Sequence, residues 1–587
     1  MSKEDTKPKT ESDEITFEKE FEVDWADESA GDSHNVMDIY LRDVLEKHAY
    51  KRGTVYPEGE VSSGRISYTH MTYKQMYEEM TRYCHGFEEV GIDPGDKVLL
   101  LIPPSLEFTL IFGTLVGRGA IPVLIDPGMG IRRMVKSIGR VEPDHFIGIS
   151  KAQLARIFFR KHFSSVDTSV TIGRRWFWGG PRLKDLRTDN TDPVSWYEAD
   201  KDETAGIFFT TGTTGTPKGV VYTHEMFKGL ADAVQDFFKF GEDAIDMPAF
   251  PPFALFNMAF GGTSVIPDMD PSRPAEADPA TLVQQIQDHG VTVTYGSPAI
   301  WNQVAEYCIE RDIQLETLER LIMFGAPVPG RILEMYENEI LPNGKTYTPY
   351  GATESIFVSV IEGKDVVNET LEKTRNGAGT CVGQPLPYID LKLIEIEDGE
   401  IDLPTGGIEE IEVEDGEVGE MAVSGSYVTE EYHGMPEITS RAKIYDDTGE
   451  EEKMWHRMGD VGYLDEQGRL WYCGRKSHRI QRGDEELYTI PIEEQFADVE
   501  GVADTAAVGV PDDELGNAVA LVVESHDGEY AAGLKSKSER ENYFVNRAED
   551  RDIPLDHVLF KDELPVDVRH NAKIKRGVVA DWAERQI

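Results

Sequence analysis

From about residue 36 onward, short apolar runs alternate with amphipathic stretches. The runs 97–102, 120–125, 207–209, 291–295 and 321–324 are short and rich in Val, Ile, Leu and Phe, as strands buried on both faces are. Between them, 111–117, 280–289 and 298–311 read as helices. Strands that alternate with helices predict a parallel sheet covered on both sides. The stretch 395–420 holds twelve acidic residues and no Lys or Arg, with turn signals at Asp398-Gly399, Gly406-Gly407 and Asp415-Gly416. Alternating Ile408, Ile411 and Val413 make it a β-rich, solvated surface excursion, with cation binding as the weaker alternative. Residues 463–471 read as a β-hairpin. A second, smaller α/β rhythm follows, with strands at 505–510, 518–524 and 558–560 and a polar helix over 533–547. The expectation is an α/β protein with three parts: a charged tail over 1–33, a large multi-subdomain unit over 34–474 with parallel and β-rich sheets, and a small α/β domain over 475–587.

The tail is polar and charge-rich, without the apolar core of a signal peptide. The greasiest stretch, 98–126, is interrupted by Pro103, Pro104, Glu107 and Arg118, so no membrane-spanning segment is expected. Cys84, Cys308, Cys381 and Cys473 lie far apart and form no CxxC pair, which suits a reducing cytoplasm. Over 587 residues, 59 Lys and Arg face 108 Asp and Glu, a formal net charge of −49. With the bases spread along the chain, that charge argues against nucleic acid and anionic membranes as partners. On a folded protein it fits a salt-rich cytoplasm, where counterions screen self-repulsion. Fourteen histidines show no metal-ligand spacing, and neither a GxSxG elbow nor an HExxH pattern is present. His224 reads as buried structure, with a site role as the alternative.

One loop carries the strongest chemical signal. After the apolar run ending at Phe209 come Thr210, Thr211, Gly212, Thr213, Thr214, Gly215, Thr216, Pro217, Lys218 and Gly219. Glycines let backbone N–H groups turn toward an anion, threonine hydroxyls add donors, and Lys218 adds a point charge, a combination suited to polyphosphate. It is not a Walker A loop, because Pro217 stands where the second glycine belongs. Gly344-Lys345-Thr346 has the right ending but Glu339 replaces the first glycine, so it reads as a turn before a strand.

This loop resembles the phosphate-binding signature of the acyl-adenylate-forming superfamily, and further matches follow in that family's order along about 550 residues. Gly325, Ala326 and Pro327 resemble its adenine-side loop; Tyr350, Gly351, Ala352, Thr353 and Glu354 resemble its YGxTE motif. Gly459-Asp460 is similar to the ribose-binding motif, Gly474-Arg475 to the hinge-region motif, and Lys573 to the catalytic lysine of a mobile C-terminal domain. The resemblance implies an adenylation domain that uses ATP and Mg²⁺. In it Tyr350 would stack on adenine, Glu354 would hold Mg²⁺, and Asp460 with Arg475 would bind the ribose. Lys573 would place charge at the carboxylate and α-phosphate.

Several positions depart from the general pattern. Ala254 stands where an LPxFH-like segment has His, Ala572 replaces the Gly before the lysine, and Ser477 occupies the hinge position usually held by Asp or Lys. The strings 263–271, 348–354, 455–460 and 569–573 resemble the β-lactone synthetases of bacterial long-chain olefin biosynthesis. That resemblance implies a 2-alkyl-3-hydroxy fatty acid substrate, olefin-pathway partner enzymes and a cytoplasmic location. Phe253, Phe256 and Tyr295 are the candidate pocket walls. An acyl-CoA or acyl-AMP ligase is the first alternative, and a noncatalytic acyl-nucleotide-binding scaffold the second.

Overall fold

A computed structural model describes residues 33–61, 64–209, 217–250, 253–449, 452–525, 534, 536–566 and 574–587. The charged tail, the loop 210–216 and Lys573 lie outside these residues. A six-stranded sheet has the order Thr168–Ile172, His145–Ile149, Lys97–Leu101, Ile121–Ile125, Thr204–Phe209, Gly219–Thr223. Its first five strands are parallel, and the last pairs antiparallel through Phe209 opposite Gly219. Phe209 and Gly219, on either side of the polyphosphate-type sequence, therefore stand at the sheet's carboxyl end. The helix Leu106–Gly117 is apolar almost all round and nearly every residue is buried. It starts five residues earlier than its apolar run predicts because Ser105 accepts a hydrogen bond from the Phe108 N–H and caps it.

A fourteen-stranded sheet forms the second layer. Its parallel part orders Thr263–Val265, Ile245–Pro248, Val293–Gly296, Arg320–Met323 and Lys345–Ala352. An antiparallel extension runs on through Ser355–Glu362, Thr380–Pro385, Leu470–Arg475, Lys453–Leu464, Gly419–Gly425 and Ile389–Ile394. The predicted strand at 291–295 begins at Val293. Val291 instead donates its N–H to the Ile286 carbonyl, closing the helix Pro279–His289 behind a left-handed Gly290.

The acidic stretch 395–420 is not β-rich. It is loop with a short helix at Gly407–Ile411, and strand returns only at Gly419. Its alternating apolar residues plug a small core instead: Ile408 packs with Ile394, Ala422, Ile444 and Trp455. Nor is it simply solvated, since Lys392 bonds Glu409 (2.8 Å) and Glu412 (2.6 Å), and Arg457 bonds Glu420 (2.6 Å).

Residues from Val502 onward build a third sheet, Val502–Asp512, Gly516–Ser525 and His557–Lys561, covered by the helices Lys537–Glu549 and Arg576–Ala583. Its two apolar clusters contain no described residue before Ile480. The fold is thus α/β with large parallel and mixed sheets and a small C-terminal α/β part, as the alternating pattern predicts. No described helix is long and apolar enough to cross a membrane.

Candidate active site

A cavity of about 1280 Å³ runs between the six-stranded sheet, the helix Val36–His48 and the large sheet. One end is polar. Strands Lys345–Ala352 and Ser355–Glu362 pair with Ala352 opposite Ser355, so Thr353 and Glu354 form the tip of a hairpin. Gly351 permits that tight return, since a Cβ there would meet the Ile356 carbonyl oxygen at 2.2 Å. Gly325 sits at φ +92°, a left-handed turn just past the strand Arg320–Met323.

Glu354 is buried and held from two sides. Its Oε1 accepts from the Tyr432 hydroxyl (2.7 Å), and its carbonyl accepts from the Thr429 N–H (2.9 Å). Tyr222 donates its hydroxyl to the Thr353 carbonyl at 2.6 Å. Lys218 donates to the Tyr432 hydroxyl (3.3 Å) and lies 4.4 Å from that ring. From a neighbouring strand, Lys443 donates to the Thr429 carbonyl, 5.8 Å from the same ring. Burial pushes the Lys443 ammonium down to about 7, and burial also lowers Lys218.

Across the cavity wall, Asp460 and Arg475 are cross-strand partners joined at 3.1 Å, and the Tyr350 hydroxyl donates to Asp460 Oδ2 at 2.6 Å. His456 lines the cavity; burial beside Lys443 holds its imidazole well below the usual range, hence neutral. Lys218, Arg441, Arg457, Arg475 and Lys476 line the polar end against Glu354 and Glu420. A chain of net charge −49 thus presents a cationic chamber, the electrostatics a polyanion requires. No described cluster of three or more His, Cys, Asp or Glu could hold a metal. A lone carboxylate fits Mg²⁺, which keeps most of its ligands as water and phosphate oxygens.

The other end is apolar. Val44, Met76, Met80, Phe108 and Phe112 line it, and Phe253 and Phe256 stand between the two ends. Among the predicted residues, Lys218, Gly325, Gly351, Thr353, Glu354, Phe253, Phe256, Arg475 and Ser477 line this one cavity. Tyr350 and Asp460 stand directly behind Arg475. Ala326 and Pro327 follow Gly325 but do not line the cavity. Tyr295 is not a wall: it packs behind Phe253, and its hydroxyl bonds the buried Asp246. Asp246 in turn accepts from Asn257 at 2.9 Å, and burial raises its carboxyl to about 7. His224 is buried structure, its Nδ1 accepting the Val36 N–H at 3.3 Å; burial lowers it to about 4. Thr210, Thr211, Gly212, Thr213, Thr214, Gly215, Thr216 and Lys573 lie outside the described residues. Tyr222, Tyr432, Lys443 and His456 escape sequence reasoning, because Tyr222 and Tyr432 meet the YGxTE hairpin only across 131 and 78 residues of chain.

The profile of the AMP-binding enzyme family matches residues 49–433. The olefin beta-lactone synthetase of Stenotrophomonas maltophilia is 38% identical over 521 residues, covering 88% of this chain and 92% of that protein. A long-chain-fatty-acid–CoA ligase of Thermus thermophilus is 24% identical over 484 residues, covering 81% and 84%. The fold matches the amide bond synthetase McbA of Marinactinospora thermotolerans with a TM-score of 0.74 at 21% identity, covering 93% of this chain and 99% of that one. A cationic chamber opening into an apolar one is the arrangement that joining a nucleotide to a fatty acid needs. The chain belongs to the AMP-binding enzyme family and is an adenylate-forming ligase.

Proposed function

We propose that the enzyme activates a 2-alkyl-3-hydroxy fatty acid with ATP and closes it to a β-lactone. The observation that carries this reading is the 38% identity to an olefin beta-lactone synthetase across 88% of the chain. A carboxylate is a poor electrophile. Its oxygen attacks the α-phosphorus, pyrophosphate leaves, and the acyl-AMP carries a good leaving group. The substrate's own 3-hydroxyl oxygen then attacks the acyl carbon, the bond to AMP breaks and the hydroxyl proton is released. An intramolecular nucleophile needs only to be held against the carbonyl, an advantage that reaches effective molarities of about 10⁵ M or more in well-oriented cases.

The residues divide these tasks. Thr210 to Thr216 and Lys218 cradle the phosphates, with Gly325 beside the adenine and Tyr350 bracing Asp460 from behind. Asp460 and Arg475 take the ribose hydroxyls, and Lys573 neutralises charge at the reacting carboxylate. Glu354 would hold Mg²⁺, which when bound offsets phosphate charge. Ser477, on the short helix Lys476–His478 at the cavity edge, is the hinge about which a domain over 475–587 turns against 34–474. The apolar chamber receives the alkyl tails. Its partner enzymes would supply the hydroxy acid and convert the lactone to an olefin. A saline cytoplasm fits the net charge of −49.

The test uses purified protein in a KCl series with Mg²⁺, ATP and a synthetic 2-alkyl-3-hydroxy acid, without CoA. AMP release is followed together with lactone formation by proton NMR, and Lys573→Ala is the control. Lactone and AMP in equal amounts are expected, with higher activity as KCl rises. Thioester that forms only on adding CoA, with no lactone, replaces this reading with an acyl-CoA ligase, the activity named for the Thermus relative.

A further inference from the structure

The charge of the chain is unevenly spread. Residues 127–184 hold twelve Lys and Arg against three Asp and Glu, inside a protein of net charge −49. The fold sorts even these. Strands Ile121–Ile125, Lys97–Leu101, His145–Ile149 and Thr168–Ile172 are neighbours and parallel, with Leu100 level with Leu124, Leu101 with Gly148 and Ile149 with Ile172. Their carboxyl ends therefore share one edge, about 15 Å along at usual strand spacing. The three acids, Glu142, Asp144 and Asp167, all precede strands and fall on the opposite edge.

The carboxyl edge carries Arg132, Arg133, Lys151, Arg174 and Arg175, all exposed. None of the five forms an ion pair with a described acid. Beside them stand apolar side chains that folding has not covered: Trp176 at 53% exposure, Phe177 at 74% and Ile131 at 48%. Trp178 anchors that aromatic turn, buried with its indole N–H on the Thr171 hydroxyl at 2.9 Å. The Ser150 hydroxyl donates to the Arg174 carbonyl at 2.6 Å and ties it to the start of the helix Ser150–Phe158. Glu107 and Asp126 follow strands of this edge, and Asp126 Oδ1 already accepts the Gly128 N–H at 2.8 Å; Asp185 is paired with Arg182 at 2.6 Å. Ile131 and Lys151 also line the cavity, so its apolar chamber reaches this rim.

We propose that this rim docks on an anionic lipid bilayer, its arginines against the headgroups and Trp176 and Phe177 in the interface, so that the apolar chamber takes a lipid-like acid directly from the membrane. Bases attract the anionic surface while aromatic rings settle at headgroup depth. A bilayer uses both features at once, and the apolar chamber that reaches this rim is suited to an acid drawn from the same bilayer. The basic edge corrects the sequence reading of scattered bases; docking senses the local field at about a Debye length, not the total charge.

The experiment is vesicle flotation of the full-length enzyme at the lowest salt of the KCl series at which it still adenylates, down to about 0.1 M, comparing equimolar phosphatidylglycerol and phosphatidylcholine with phosphatidylcholine alone. At least fivefold more protein should float with the anionic vesicles. Arg174→Glu with Arg175→Glu should abolish the difference, and Trp176→Ala with Phe177→Ala should reduce it severalfold. Pyrophosphate exchange with a short, water-soluble acid should stay within twofold in every variant, which shows that they fold and adenylate whatever the product of the long acid. Should a variant misfold, vesicles with brominated acyl chains read the wild type: they should quench a tryptophan component that Trp176→Phe removes. Equal flotation with both vesicle types, or no Trp176 quenching, overturns the proposal. So does binding to an RNA oligomer as tight as to the anionic vesicles.

Discussion

The two ends of the cavity are built on opposite logic. At the polar end every important side chain is held by a partner: Glu354 by Tyr432 at 2.7 Å, Asp460 by Arg475 at 3.1 Å and by Tyr350 at 2.6 Å. At the apolar end, Val44, Met80 and Phe112 meet the cavity with nothing but shape. Nucleotide chemistry is directional and tolerates little displacement. An alkyl chain is non-directional, so its recognition is a matter of area removed from water. The first end should therefore respond to single-atom changes and the second only to changes of volume.

The sharpest way to break this contrast is at the reacting carboxylate and phosphates. Lys573→Ala and Glu354→Gln should each lower pyrophosphate exchange by about 10²–10³-fold, the size of losing one well-aimed electrostatic contact. Gln keeps an acceptor for Tyr432, so folding should hold and the loss reports charge. An exchange rate within threefold of wild type would remove Glu354 from the metal-holding role. Asp460→Asn comes next. It weakens hydrogen bonds to a charged group, each worth about 1.5–3 kcal/mol, so the KM for ATP should rise about 10–100-fold. The rate of lactone formation at saturating ATP should barely change; a fall in that rate instead would mean Asp460 acts on the acyl carbon.

How legible each end is from sequence follows from the same difference. Glu354, Asp460 and Arg475 sit in short motifs because adjacent residues on one hairpin or one strand pair must converge on one ligand. Tyr222, on the strand Gly219–Thr223, and Tyr432, in a loop that bridges to Val220, complete that convergence from far along the chain, and no local spacing announces them. The fold was readable wherever burial on both faces makes a strand continuously apolar, as at Lys97–Leu101. It failed where apolar alternation served another purpose, as at Ile408 and Ile411, which plug a side core. Tyr295 shows the limit for the chamber: an aromatic near the site was expected to be a wall, but its hydroxyl is drawn back to Asp246.

The apolar end is tested by volume. Val44→Trp, on the helix Val36–His48, should fill the chamber without touching the nucleotide. For a long-chain acid kcat/KM should drop at least about tenfold, since one methylene of fit is worth about 1–3 kcal/mol. Overpacking should destabilise the protein by about 1–3 kcal/mol, visible in a denaturant midpoint. Exchange with a short acid should persist. Equal losses for short and long acids would place the acyl chain elsewhere.

The smallest effect probes how tightly the polar end is packed. Lys443 donates to the Thr429 carbonyl behind Tyr432, with Glu354 and Glu430 favouring its charge, Lys218 opposing it, and His456 opposite in the sheet register. Burial outweighs these and pushes it from 10.5 to about 7. Between those values the unfolded chain binds a proton that the folded chain lacks, so this residue makes stability rise with pH, by up to about 1.4 kcal/mol per pH unit. Below pH 7 both states are charged and its contribution is flat. Lys443→Met removes the titration, so the wild type should gain about 1 kcal/mol on the variant from pH 8 to pH 9. Urea midpoints at the two pH values measure the difference, and other titrating groups cancel in it. Parallel curves would mean that Lys443 keeps its proton in the fold. The polar end would then hold one more fixed positive charge than its neutral state provides, and its contrast with the apolar chamber would be steeper still.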